Sequence, residues 1–218
     1  MNKNSIEVKN LKFQYLSGGF SLRLSEFYVE ESEKIAIIGP SGTGKTTLLN
    51  LLAGCTLPDS GSVLIQGTDI AGMSDRSRRE FRILNIGMIF QEFELLDHLN
   101  VLDNILLPYR ITPCLNYDGS VAERAALLAK EVGLGDKLKR NVRQLSQGER
   151  QRVAVCRSLL PEPSLLLCDE PTGNLDPINS KHVMDIMFRY AEENGSTLVS
   201  VTHDHGIAHR FDRTVEFK

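Results

Sequence analysis

The chain has 218 residues, of which 41% are hydrophobic and 24% charged, with a formal net charge of -3 at pH 7. This is the composition of a soluble globular protein with one sizeable core. Its mild acidity removes any global pull toward nucleic acid or anionic lipid, and no stretch approaches the ~20 apolar residues that span a bilayer. Cys55, Cys114, Cys156 and Cys168 stand singly, with no Cys-x-x-Cys pair, so buried and reduced thiols are expected.

The polar, alternating N-terminus carries no apolar signal core, which predicts a cytosolic chain. "SIEVKNLKFQY" and "FSLRLSEFYV" alternate apolar and polar residues around Ser17-Gly18-Gly19, predicting a small antiparallel sheet with a turn. "KIAIIG" reads as a buried strand. It runs into Gly39-x-x-x-x-Gly44-Lys45-Thr46 and then the helix "KTTLLNLLAG", which Gly54 closes as a C-terminal cap. In that strand-turn-helix context the glycines let backbone N–H groups converge on phosphate oxygens at the positive end of the helix dipole. Lys45 is expected to neutralise the β- and γ-phosphates, and Thr46 to offer its hydroxyl to Mg2+. The nucleotide-binding segment is therefore Gly39, Pro40, Ser41, Gly42, Thr43, Gly44, Lys45, Thr46 and Thr47. Kinases, GTPases and ATPases share such a loop, so it does not set the reaction.

"SVLIQG" follows as a strand, and residues 75–84 read as a short basic helix before the strand "IGMIFQ". Arg76, Arg78, Arg79 and Arg82 are either a solvated helix face or a phosphate or partner site. From about 99 to 145 the pattern is helical, which predicts a lobe inserted into the α/β core. Strand and helix then alternate through "QGERQRVAVCRSLL", "SLLLCDE", "SKHVMDIMFRYAEE" and "STLVSVTH". Val183, Ile186, Met187 and Tyr190 form a core-facing helical stripe, and the alternation argues for a mainly parallel sheet covered on both faces. An apolar strand ending in Asp169 and Glu170 is unusual unless something uses the charge, because an unpaired carboxylate is costly to desolvate. Asp169 is placed to hold Mg2+ or its water, and Glu170 to orient and deprotonate an attacking water.

"LSQGE" at 145–149 decides the class, since it resembles the signature of ATP-binding-cassette (ABC) ATPases. The resemblance extends through Gln91 in "IFQEFELL", "NLDP" at 174–177 and His203 after "TLVSVT", in the family's order over nearly the whole chain. It implies an α/β cassette of the phosphate-loop NTPase type. About 1–98 and 146–218 would form the core with an antiparallel β subdomain, and about 99–145 an inserted helical subdomain. It also implies a head-to-tail homodimer that sandwiches ATP between one subunit's phosphate loop and the other's signature, Ser146, Gln147, Gly148 and Glu149. A helix start carrying the Ser146 hydroxyl and the unobstructed Gly148 N–H agrees with such an anion site. By the same resemblance Gln91 contacts Mg2+ or the water, His203 contacts the γ-phosphate, and Asp176 lines the dimer contact. Tyr15 stacks on adenine, with Phe13 as its competitor. His98, His182, His205 and His209 have no motif context and read as surface or structural. Gln147 departs from the commonest signature, which has glycine there, but with Lys45, Asp169, Glu170 and His203 all present active hydrolysis is expected.

"DEPTGNLDP" and "LSQGERQRVAV" resemble the branch of lipoprotein-releasing, macrolide-exporting and cell-division ATPases (LolD, MacB and FtsE). That implies a separate integral membrane partner and a peripheral position on the cytoplasmic face of the inner or plasma membrane, with no nucleic-acid partner. Residues 92–111, including Phe93, Leu95 and Leu96, are either the partner's docking groove or part of the lobe's own packing. Two other readings are regulation of a cell-envelope hydrolase through a non-transporting membrane partner, and a soluble cassette ATPase acting on ribosomes or DNA.

Overall fold

The computed structural model describes residues 3–15, 19–203 and 205–217, the side chain of His205 excepted. Ser17 and Gly18 of the expected turn, and the His205 side chain, therefore lie outside the described residues. Strands β1 (Asn4–Gln14), β2 (Ser21–Glu30), β4 (Ser60–Ile65) and β5 (Thr68–Asp69) make an antiparallel sheet in the order β2-β1-β4-β5. In β1 the buried apolar residues are Ile6 and Val8, then Leu11 and Phe13. Strict alternation would send the second pair to the solvent face. Asn10, at φ 50, and a register shift against β4 between Lys9 and Lys12 absorb the extra residue and keep all four on one side.

The second sheet is wholly parallel, in the order β6-β7-β8-β3-β9, from β3 (Lys34–Ile38), β6 (Ile86–Ile89), β7 (Leu165–Asp169), β8 (Thr197–Val201) and β9 (Arg213–Glu216). Its central strands are apolar on both faces because both are covered. Leu165 and Leu167 join Ile35, Ile37 and Val199 in a core shared with the antiparallel sheet and with helix α1 (Lys45–Leu52). Leu166, Cys168 and Leu198 point the other way, into a second cluster under α6 (Gln147–Leu159) and α7 (Pro177–Asn194). Val183, Ile186 and Met187 of the predicted α7 stripe are buried there, Tyr190 is half-buried against the same cluster, and Met184, Phe188 and Ala191 widen the face.

The inserted segment consists of α3 (Val101–Ile105), α4 (Leu107–Ile111), α5 (Gly119–Glu131) and two single 3-10 turns, Gly135–Lys137 and Val142–Gln144. It has no separate core: Val101, Ile105, Val121 and Ala125 belong to the same cluster as Val153 of α6 and Val183 of α7. Buried Asn104 staples the preceding loop, accepting from the Leu96 amide at 2.8 Å and donating to the Leu96 and Asn100 carbonyls.

Helix α2 (Asp75–Asn85) corrects the picture of a uniformly solvated arginine face. Gly54 adopts the left-handed conformation expected of a cap, at φ 63. Arg78 donates to its carbonyl at 2.9 Å, and Arg82 to that of Ala53 at 3.1 Å, so two arginines satisfy the carbonyl end of α1. Arg76 and Arg79 pair on the surface with Glu80 and Asp75. The cysteines are also less uniform than expected. Cys156 and Cys168 are buried, but Cys114 is half-buried and Cys55 is exposed where the chain turns out of α1. Helix α8 (His205–Ala208) is a single turn before β9, and among the described residues no helix is long and apolar enough to cross a membrane.

Candidate active site

Strand β3 delivers the glycine turn to the C-terminal edge of the parallel sheet, where a cavity of about 470 Å3 opens. Tyr15, Phe20, Ser41, Gly42, Lys45, Thr46, Thr47 and Glu170 are among the residues that line it. The Lys45 side chain, itself buried, folds back over the loop and donates to the carbonyls of Gly39 at 2.8 Å and Pro40 at 2.7 Å. The Thr43 hydroxyl also donates to Pro40. The cationic head is thus held against the loop backbone, which concentrates positive charge where the first turn of α1 presents its free N–H groups.

Burial raises the pKa of Asp169, opposed by a hydrogen bond from the Thr46 hydroxyl and by the charge of Lys45, while neighbouring Glu170 pushes it up further. A carboxylate partly deprived of water, beside one hydroxyl oxygen, is a hard-oxygen pair suited to Mg2+, which takes one or two protein ligands and completes its shell with phosphates and water. Among the described residues there is no group of three or more His, Cys, Asp or Glu that would hold a metal without such help.

Glu170 is the first residue beyond β7 and has φ 46, a conformation uncommon outside glycine. Its amide donates to the Val201 carbonyl at the end of β8 at 3.0 Å, and its carbonyl accepts from Gly173 at 3.0 Å. This turn swings the carboxylate toward β8, where Oε2 meets His203 Nδ1 at 3.1 Å. The imidazole is 66% exposed, so its other nitrogen is open to a ligand. Gln91 reaches the same turn from β6: its carboxamide donates to Asn174 at 3.3 Å and lies beside Gly173.

The signature forms the start of α6. Ser146 is its N-cap, accepting from Glu149 N at 3.3 Å, while Glu149 accepts from Ser146 N at 2.8 Å, a reciprocal capping box. The Glu149 carboxylate also pairs with Lys137, so it is engaged within its own chain. Gln147 follows the cap on the exposed side. A Cβ on Gly148 would lie 2.5 Å from Asn179 of α7, so only glycine permits this approach. Asn179 in turn donates to Asp176, the N-cap of α7, at 2.5 Å, and accepts from Arg152 at 2.8 Å. Ser146, Gln147, Gly148 and Asp176 do not line the cavity beside Lys45.

Tyr15 is 41% exposed and lines that cavity, whereas Phe13 is buried in the core. The Tyr15 hydroxyl is 3.2 Å from the Thr47 hydroxyl, and its ring lies 6.3 Å from that of Phe20. Phe20 escaped the sequence reading. Its ring tip sits 2.4 Å from where a Cβ on Gly44 would be, and the only signal for it is an aromatic residue just before β2. His98, His182 and His209 are exposed, although His209 shares a second cavity with Glu170 and His203. The expected docking stretch is divided. Phe93 and Leu95 line a small pocket of about 200 Å3, and Leu95 packs on the core. A groove of about 750 Å3 lies instead between α2 and α4, lined among others by Arg76, Arg79, Phe90, Glu94, Leu107 and Ile111.

The family model described as ABC transporter matches residues 22–173. The chain belongs to the ABC transporter family. The cassette is 37% identical over 211 residues to the lipoprotein-releasing system ATP-binding protein LolD of Hydrogenovibrio crunogenus, covering 95% of this chain and 91% of that protein. It is 38% identical to the macrolide export ATP-binding/permease protein MacB of Rhodopirellula baltica over 98% of this chain, but spans only 32% of that longer protein. Among solved structures, a dimeric bacterial ABC transporter cassette matches with a TM-score of 0.89 at 32% identity, covering 98% of this chain and 94% of that one. A dimer of the same cassette in a post-hydrolysis state bound to ADP and Pi matches at 0.87 and 30% identity, with the same coverage. The cassette is accordingly a nucleotide-binding ATPase with the α/β fold of that family.

Proposed function

We propose that the chain is the ATP-hydrolysing subunit of a membrane machine of the lipoprotein-releasing or macrolide-exporting kind, working as a head-to-tail homodimer with two ATP and Mg2+. The observation that carries this reading is a division of labour within one chain. Lys45, Thr46 and Glu170 line one cavity, while the Ser146 cap is directed elsewhere and awaits a phosphate from a second copy. Lys45 exchanges its two loop carbonyls for phosphate oxygens as nucleotide enters, and Ser146 with the Gly148 N–H closes over the γ-phosphate of the opposite copy. Thr46, Asp169 and Gln91 would hold Mg2+, which supplies charge neutralisation at the phosphates. Glu170 orients and deprotonates the attacking water, and His203, whose Nδ1 lies 3.1 Å from its carboxylate, steadies that carboxylate and reaches the γ-phosphate. Tyr15 and Phe20 offer faces for the adenine.

A separate membrane subunit is supported by the likeness to LolD, the ATP-binding protein of a lipoprotein-releasing system, over nearly the full length of that protein. The groove between α2 and α4 suits a short amphipathic segment of such a subunit, which would keep the cassette on the cytoplasmic face of the membrane. No nucleic-acid partner is proposed, consistent with the net charge of -3. Size-exclusion chromatography of Glu170→Gln with saturating Mg-ATP tests the reading: a dimer is expected, and a monomeric profile overturns it. Lys45→Ala is expected to abolish turnover, and the same Glu170→Gln protein with ATP should retain a membrane subunit from detergent-solubilised membranes.

A further inference from the structure

Gln151 lies on α6, one and a half turns beyond the Ser146 cap, and is fully buried, with 0% of its surface exposed. Its Nε2 donates to the carbonyl of Pro171 at 2.6 Å and to that of Phe90 at 3.2 Å. With two carbonyls in front of it, only the two-donor edge of the amide fits there. The opposite edge gains nothing, because Oε1 is buried without a hydrogen-bond partner. A side chain kept for packing alone would be apolar at this place, since an unpartnered buried acceptor is costly. The compensating gain is what Nε2 holds.

The two carbonyls are not arbitrary. Phe90 immediately precedes Gln91, and Pro171 immediately follows Glu170. The Glu170 backbone is in a left-handed conformation and turns back on itself through the Gly173 N–H bond to its carbonyl. A turn of that kind persists only where its surroundings over-determine it. The Pro171 carbonyl is clamped on the side away from β8, and the Glu170 amide is clamped on the β8 side by Val201. One amide therefore joins the segments that carry Gln91 and Glu170, and ties both to the helix that begins with the signature.

We propose that Gln151 is a positioning residue for hydrolysis, holding the Phe90 and Pro171 carbonyls so that Gln91 and Glu170 keep their places and follow the signature helix as it moves. This rests on the functional reading above. An α-helix transmits displacement along its length as a rigid rod, so contact at Ser146 and Gly148 is carried to both segments through this side chain. Neither nucleotide nor the dimer partner needs to touch it.

The test is the steady-state Mg-ATPase of the full chain with Gln151→Met, which keeps length and volume and removes the donors, and Gln151→Lys, which keeps donors for two carbonyls as Lys45 has at Gly39 and Pro40. Gln151→Met is expected to lower kcat by about tenfold to a hundredfold, the scale of a misplaced catalytic group, with KM for ATP within about threefold of wild type. Gln151→Lys should recover part of the loss. Urea unfolding of each variant checks the fold. If Gln151→Met does not fold, the comparison of Gln151→Lys with Gln151→Glu, donor against acceptor at similar length, decides in its place. A kcat within about twofold of wild type in the donor-free variant, a fall in kcat matched by an equal loss of ATP affinity, or no difference between donor and acceptor overturns the proposal. Absence of turnover in the wild type, together with a monomeric Glu170→Gln, would instead overturn the functional reading itself.

Discussion

Replacing Glu149 with Gln removes one charge from the start of the signature helix and leaves the shape of the cap intact. A carboxamide oxygen can still accept from the Ser146 amide, so the reciprocal box survives while the ion pair to Lys137 does not. In the wild-type protein the Glu149 carboxyl is held at about 2, below its ordinary 4.5, first by the hydrogen bond from Lys137, against the opposing effect of burial, and then by Ser146. A carboxyl whose pKa falls on folding stabilises the folded state wherever it is ionised in both states. The contribution is therefore complete above the unfolded value of 4.5 and is lost as pH falls from there toward 2. Taken whole, the shift corresponds to about 3 kcal/mol. The pair lies at the rim with 15% of the Glu149 side chain and 22% of that of Lys137 exposed, and solvent screening reduces this to about 1–2 kcal/mol. Urea unfolding of both proteins at pH 7 should show Glu149→Gln less stable by that amount, and at about pH 3 the gap should have shrunk by more than half. An equal gap at both pH values, or none at pH 7, would refute the assignment of this carboxylate to the cap and the Lys137 pair.

Three further outcomes follow from the same geometry. Gly148→Ala puts a methyl 2.5 Å from Asn179, which its bonds to Asp176 and Arg152 hold in place; a stability loss of about 1–3 kcal/mol in urea melts and weaker ATP-driven dimerisation in a Glu170→Gln background are expected, and wild-type values for both would contradict the contact. Arg78→Met removes hydrogen bonds to the Gly54 and Met73 carbonyls and to Asp75, and should cost about 2–3 kcal/mol by the same assay, whereas Arg76→Met, on the exposed face, should cost under about 0.5 kcal/mol. Tyr15→Ala should weaken ATP binding about tenfold, on the scale of one base–aromatic stack, as read by titration of a fluorescent ATP analogue; an unchanged Kd would remove Tyr15 from the base site.

What the sequence determined by itself is what lies within a few consecutive residues. The buried strand before Gly39, the helix after Lys45, the apolar strand ending in Asp169 and the Ser146 cap with its Glu149 partner are all local, because periodicity, glycine spacing and capping chemistry act over one or two turns of chain. The family's motifs could be read from the same short stretches. Tertiary structure decided what depends on the approach of distant elements. The parallel pairing of β7 and β8 brings Glu170 to His203, the ring of Phe20 comes to lie over Gly44, and the arginines of α2 divide between the carbonyl end of α1 and the solvent. The helical insert shares its core with α6 and α7 because its apolar face has no other partner to bury against, and no local pattern records which neighbour will supply one. The two carbonyls held by Gln151 are of this second kind: in sequence it is one polar residue in a helix, and only packing brings the ends of two strands to its amide.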